Sequence, residues 1–133
     1  MFKSFFSKKE AVLTGAPAVR RMKTYSAQSG YVYQYYYEGQ RPFRSGGETG
    51  TEFVFSISAD RKSWRPVSVL LTTGAIAQWQ AVHARELSMT ERYAVAKMAL
   101  FQAFDERATP VLMKEEVRVR PADVEAIVET LGL

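Results

Sequence analysis

The chain has 133 residues, of which 24% are charged and 47% apolar, so it is long enough for one compact domain and too short for two of ordinary size. With no cysteine and one histidine, the composition excludes a disulfide scaffold, a thiolate zinc site, an iron–sulfur cluster and a cysteine nucleophile. The formal charge is +4, but residues 1–65 hold eleven Lys or Arg against five acids, whereas residues 66–133 hold seven against nine. The basic first half is compatible with an anionic partner.

The first sixteen residues are predicted to form a flexible segment, basic and aromatic, ahead of a single domain over residues 17–133. No apolar run approaches the length of a membrane span, so a cytoplasmic location is expected. The segment does carry three phenylalanines among lysines, a composition that favours contact with an anionic membrane surface. The candidate membrane contacts are therefore Phe2, Phe5 and Phe6.

From residue 21 to residue 71 the hydrophobic pattern has period two and predicts strands over residues 22–27, 31–38, 52–59 and 64–71. Residues 60–63 predict the turn of a hairpin between the last two. Residues 39–50 hold four of the eight glycines, and we expect a flexible loop there. Their glycines do not indicate a phosphate-binding loop, because no Lys-Ser or Lys-Thr pair and no helix follow.

Beyond Thr72 the period becomes helical. The segment Ser88-Met89-Thr90-Glu91 fits a capping box and begins a helix that Pro110 limits. A short strand over residues 116–120 and a last helix from Pro121 complete the order. Strands first and helices afterwards predict an α+β fold, an antiparallel meander of about four or five strands with two or three helices packed on one face.

Six of the seven tyrosines lie between residues 25 and 37. In a strand, Tyr31, Tyr33, Tyr35 and Tyr37 share one face, and four exposed rings would exceed the apolar patch normal for a soluble monomer. We therefore expect the helices to cover this face, which leaves Val32, Gln34, Tyr36 and Glu38 outside. The alternative is a stacking platform for single-stranded nucleic acid, with nearby arginines binding phosphate.

Two features are candidates for catalysis. Tyr93 and Lys97 have the Tyr-x-x-x-Lys spacing that resembles the catalytic pair of short-chain dehydrogenases, but the chain lacks that family's glycine-rich cofactor turn and alternating βαβ order. His83 would act as a base if Glu86 or Glu91 oriented it. We interpret Lys97 as a side chain whose ammonium extends to solvent and His83 as a packed residue, and we expect no cofactor and no metal site.

The function that the sequence favours is therefore a non-catalytic protein-interaction module, including one that pairs with a second copy of itself. Nucleic-acid binding and a small enzyme are the alternatives. The predicted partner surface combines the outer sheet face with the adjoining loop, and its residues are Tyr36, Arg41, Phe43, Arg44, Val54 and Leu70.

Overall fold

A computed structural model describes residues 11–133. The predicted membrane contacts Phe2, Phe5 and Phe6 lie outside these residues. Within them the strands are β1 (Lys23–Ser26), β2 (Val32–Ser45), β3 (Glu48–Ser58), β4 (Arg65–Thr72) and β5 (Val117–Val119). The helices are α1 (Thr73–His83), α2 (Met89–Glu106) and α3 (Pro121–Leu131), with a 3-10 turn over Pro110–Lys114.

The predicted α+β class is confirmed. The described strands form one curled sheet in the order β1-β2-β3-β4-β5, and the first four pair antiparallel as a meander. The fifth strand differs, because Val117–Val119 pair parallel with Val69–Leu71. A parallel neighbour needs a crossover, and α1 and α2 supply it.

The prediction of a loop over residues 39–50 is wrong, because β2 and β3 continue to a two-residue turn at Gly46-Gly47. Both turn glycines have positive φ, 57° and 85°, as a tight hairpin requires. The register shifts between Tyr37 and Gly39. This bulge moves the outward-facing positions from even to odd numbers, so the alternation that marks a strand is interrupted.

Helices cover one face of the sheet. Tyr33 and Tyr35 of β2, Phe53 of β3 and Val69 of β4 point to this face and are buried. The helices contribute Ile76, Trp79, Val95, Leu100, Phe104, Val124 and Ile127 to the same cluster. Together, the inward-facing residues of the sheet and of the helices form the core of the described domain.

Local signals position the helices. At α2, the Ser88 hydroxyl accepts from the Glu91 amide at 3.1 Å and the Glu91 carboxylate accepts from the Ser88 amide at 2.9 Å, as the predicted capping box requires. Pro121 opens α3 and Gly132 closes it with φ 76°. Helix α1 ends at His83, because Ala84 takes a left-handed conformation with φ 51°. None of the helices within residues 11–133 is long and apolar enough to cross a membrane.

The chain ahead of β1 already contacts the sheet. Thr14 and Gln40 exchange two backbone hydrogen bonds of 2.9 and 2.8 Å. Gly39 permits this approach, because a Cβ there would lie 2.8 Å from the Thr14 carbonyl oxygen and its φ is 128°. The division at residues 16 and 17 stays a prediction, with contact to the sheet extending back at least to Thr14.

Candidate functional site

The tyrosines of β2 are mostly core residues. The Tyr33 ring stacks on Phe104 at 4.1 Å between centroids, and the Tyr35 ring meets Phe101 edge-on at 5.6 Å. Burial raises the pKa of Tyr35 and of Tyr37 to about 12. The expectation that helices cover this face is confirmed for Tyr33 and Tyr35, whereas Tyr31 is 38% exposed. Rings packed against helices offer no free face to a nucleic-acid base.

The opposite sheet face is less open than predicted. Gln34, expected outside, is 1% exposed, and Val54 and Leu70 are each 6% exposed. These two predicted partner residues therefore contribute little accessible surface. Beside them, Arg41 donates to Glu52 at 2.9 Å and Ser68 donates to the same carboxylate.

The positive charge of Arg41 on this face is paired with the Glu52 carboxylate. Burial acts to raise the pKa of this carboxyl, but hydrogen bonds from Arg41 and Ser68 outweigh it and hold the pKa below its ordinary value. The glutamate is therefore ionised at neutral pH and pairs with Arg41, one of the predicted partner-surface residues. Arg41 of β2 and Glu52 of β3 are directly opposite each other, so their ion pair supports the register of the two strands.

Phe43 and Arg44 lie near the tip of the β2–β3 hairpin. Phe43 pairs with Gly50 across the strands, and its ring lies so close that a Cβ on Gly50 would be 2.7 Å from Phe43 Cε1. Arg44 is exposed and pairs in register with Thr49. Of these two predicted partner residues, Phe43 packs on the hairpin and Arg44 faces solvent.

An aromatic pair with one exposed ring lies on the outer face. Tyr36 and Trp64 lie 5.2 Å apart between ring centroids, and the Arg20 guanidinium lies 4.2 Å over the Tyr36 ring. Arg20 also forms an ion pair with Glu38. A shallow cavity of about 390 Å³ is lined by Arg20, Tyr36, Ser56 and Trp64, and not by Glu38. We call Arg20, Tyr36, Ser56 and Trp64 the Trp64 surface.

Only Tyr36 of this surface belongs to the predicted partner residues. Trp64 is 39% exposed, which is high for a residue of its size. The sequence held a signal for it, since the alternation of Val67, Val69 and Leu71 inward places even-numbered residues of β4 outward. Trp64 directly precedes β4, so the same alternation puts it on the outer face, where its ring contacts Tyr36.

The Tyr93–Lys97 pair has the wrong electrostatics for proton transfer. Burial raises the pKa of Tyr93, whereas a catalytic tyrosine beside a lysine would have its pKa lowered. Burial, and then the charge of Lys23, lower the pKa of Lys97, whose Nζ lies 5.8 Å from the Phe101 ring centroid. The Tyr93 ring packs on Tyr37 at 4.7 Å. The pair is therefore part of the helix–sheet contact.

His83 has a carboxylate partner different from those predicted. Its Nε2 lies 2.9 Å from Glu125 of α3, and its ring stacks on Trp79 at 4.4 Å. Glu91 is engaged instead in the cap of α2 and with Arg85. His83 is therefore exposed rather than packed as expected, with its ring on Trp79 and Glu125 as its hydrogen-bond partner.

Across residues 11–133, no three His, Asp or Glu side chains converge as metal ligands. No family model, curated protein or solved structure matches the chain. A function must therefore be argued from the surfaces themselves.

Proposed function

We propose that this domain is a protein-interaction module that binds an acidic segment of a partner protein through the Trp64 surface. The observation that carries the proposal is the pair formed by exposed Trp64 and half-buried Tyr36, with the Arg20 guanidinium against it. Trp, Tyr and Arg are the residues most enriched at energetic hot spots of protein interfaces. Tyr36 is held in β2 and the Trp64 ring lies against it, so little side-chain entropy is lost on binding.

The charge around the Trp64 surface supports an acidic partner. Arg61 and Lys62 are exposed in the turn next to Trp64. The one acid of that turn, Asp60, is held by the amides of Lys62 and Ser63, each at 2.8 Å. An acidic segment would neutralise the charges of Arg61 and Lys62.

The geometry favours a protein over single-stranded nucleic acid. Stacking of bases requires ring faces open to solvent, and the Tyr36 ring already has Arg20 on it at 4.2 Å. The Tyr36 and Trp64 rings are inclined by 40°, so they do not form one flat platform. Tyr33 and Tyr35, the other rings considered for stacking, are buried.

A peptide array with alternating acidic and variable residues, and a matched array with lysine in place of the acids, tests the proposal. We expect the purified domain to bind acidic peptides only, and Trp64→Ala to weaken binding of the best peptide about tenfold or more. Val82→Ala is the matched control, because Val82 is 71% exposed on α1, away from this surface. The readout is fluorescence anisotropy, with circular dichroism to check folding.

Three results would overturn the proposal. The first is equal binding by Trp64→Ala and the unmodified domain. The second is a labelled oligothymidylate that binds and loses affinity in the same variant, which would assign the surface to nucleic acid. The third is a concentration-dependent dimer in sedimentation that Trp64→Ala dissociates, which would assign it to self-association.

A further inference from the structure

Strand β1 forms one edge of the sheet, and half of its backbone groups face away from β2. At the β1–β2 turn the Ala27 amide donates to the Tyr31 carbonyl oxygen at 2.8 Å. Hydrogen bonding alternates along an antiparallel pair, so Tyr25 also bonds to β2, whereas Thr24 and Ser26 direct their amides and carbonyls away from it. Among residues 11–133, nothing hydrogen-bonds to these outward groups. The β1 edge is therefore open to a further strand.

Two lysines lie near each other on the helix side of this edge. Lys23 and Tyr25 point to the same face, because they alternate along β1. The Tyr25 ring stacks on Phe101 of α2 with 4.2 Å between centroids, and Lys97 lies one helical turn before Phe101. Burial lowers the pKa of Lys97, and the nearby charge of Lys23 lowers it further. Both ammonium groups therefore belong to one end of the β1 edge.

These two positive charges are uncompensated. Neither ammonium group has an acidic partner within the described part of the chain. Asp105, at the other end of this contact, already accepts from the Tyr25 hydroxyl at 2.8 Å and from the Gln28 amide at 2.9 Å. Like charges held together at a half-buried position attract a carboxylate. Lys23 and Lys97 therefore favour an acidic group beside this end of β1.

We propose that an extended segment of a partner protein adds to β1 as a further antiparallel strand, with an acidic side chain facing Lys23 and Lys97. Its backbone would bond to the outward groups of β1, and an apolar side chain would lie beside the Tyr25–Phe101 stack. Pairing with β1 of a second copy fits less well, because residues 20–30 contain no acid. The proposal does not depend on the Trp64 surface, which lies on the outer sheet face.

A short capped peptide, acetyl-Thr-Val-Thr-Leu-Thr-Glu-Thr-amide, tests the proposal. Paired antiparallel, it places its leucine opposite Tyr25 and its glutamate opposite Lys23. Titration followed by two-dimensional amide NMR should show saturable shifts at β1 and at the facing residues of α2. Replacing the glutamate by glutamine should weaken binding about fivefold, the upper range for an ion pair at a surface.

Peptides methylated at one backbone nitrogen test whether the contact is a strand pairing. Methylation of the threonine opposite Thr24 removes a donor that faces β1, and we expect binding to weaken about fivefold or more. Methylation of the leucine is the matched control, because its amide faces away from β1 and affinity should change little.

Variants of the domain test the other side of the contact. Ser26→Pro removes an outward amide without taking a hydrogen bond from β2, and it should block the peptide. Lys97→Gln should weaken the glutamate peptide about fivefold and leave the glutamine peptide unchanged. Lys114→Gln is its control, at an exposed lysine of the 3-10 turn beside β4. Trp64→Ala should bind the peptide normally, which separates this site from the Trp64 surface.

The proposal is overturned if the peptide causes no saturable shifts at β1, or if the two methylated peptides bind equally well. Equal affinity for the glutamate and glutamine peptides would also overturn it. A dimer in sedimentation that Ser26→Pro dissociates would assign the edge to self-association instead. Should Ser26→Pro not fold, the methylated peptides and Lys97→Gln decide the matter, and unchanged affinity in both would exclude the site.

Discussion

Gly50 lies where β2, β3 and β4 come close together. A Cβ at this position would lie 2.3 Å from the Leu71 carbonyl oxygen and 2.7 Å from Phe43 Cε1. The first of these atoms is backbone and cannot turn away, so a side chain would force the strands apart. The residue is therefore glycine because no side chain fits, and the Phe43 ring packs over it on the hairpin.

We predict that Gly50→Ala lowers the free energy of unfolding by about 1–3 kcal/mol, the usual cost of overpacking. Gly74→Ala is the control, because no atom lies within 4 Å of its Cβ position at the start of α1. Alanine favours the helix there, and stability should rise by up to about 1 kcal/mol. Urea denaturation measures both, and a Gly50→Ala variant as stable as the parent would contradict the close approach.

The positions of some single residues could be predicted from the sequence, whereas some of their contacts could not. The outward position of Tyr36 followed from strand alternation, and the structure agrees. That Glu125 would be the partner of His83 could not be predicted, since 42 residues separate them and only the packing of α3 on α1 joins them. The outward position of Trp64 could have been predicted, because the alternation of β4 places even-numbered residues on the outer face.

At the scale of elements, α2 illustrates a start encoded locally. The side chains of Ser88 and Glu91 accept hydrogen bonds from each other's backbone amides, and the two residues are three positions apart in the sequence. The same residues were predicted as a capping box from their spacing alone. Signals that act within one turn of helix survive tertiary packing, because the groups they satisfy belong to the same segment.

We predict that Ser88→Ala lowers the free energy of unfolding by about 1 kcal/mol, since the Glu91 amide loses its acceptor at the end of α2. Thr90→Ala is a matched control on the first turn of the same helix, with its side chain exposed. That variant should stay within about 0.5 kcal/mol of the parent. Thermal unfolding followed at the helical dichroism band compares the two, and equal effects would argue against the cap.

The strands divide into those that could and could not be predicted. The antiparallel hairpin between β3 and β4 followed from its turn residues. The extension of β2 past Gly39 did not, because one bulge residue reverses the alternation. The parallel pairing of β5 was also beyond the sequence, since three residues carry too little pattern to indicate direction.

At the scale of the whole molecule, the tyrosines of β2 link stability to alkaline pH. Burial raises the pKa of Tyr35 and Tyr37 from 10.0 to about 12. Between these values the unfolded chain has lost phenolic protons that the folded chain retains. The stability that this linkage governs is therefore complete below pH 10 and is lost as the pH rises toward 12.

We predict that the free energy of unfolding falls steeply above pH 10, with Tyr35, which is 4% exposed, contributing at most about 1.4 kcal/mol per pH unit. The double variant Tyr35→Phe, Tyr37→Phe should show a shallower fall over the same range. Urea titrations at several pH values, with tyrosinate absorbance recorded alongside, measure both quantities. Identical slopes for parent and variant would remove these two tyrosines as the cause.

The parallel pairing of Val117–Val119 with β4 has a consequence for how the chain is made. As the polypeptide leaves the ribosome, the four-stranded meander emerges well before its last strand. Until then the outer edge of β4 exposes backbone amides and carbonyls with no neighbour, the kind of edge that recruits strands from other nascent chains. Pairing with Val117–Val119 would therefore shield this part of the β4 edge from other chains.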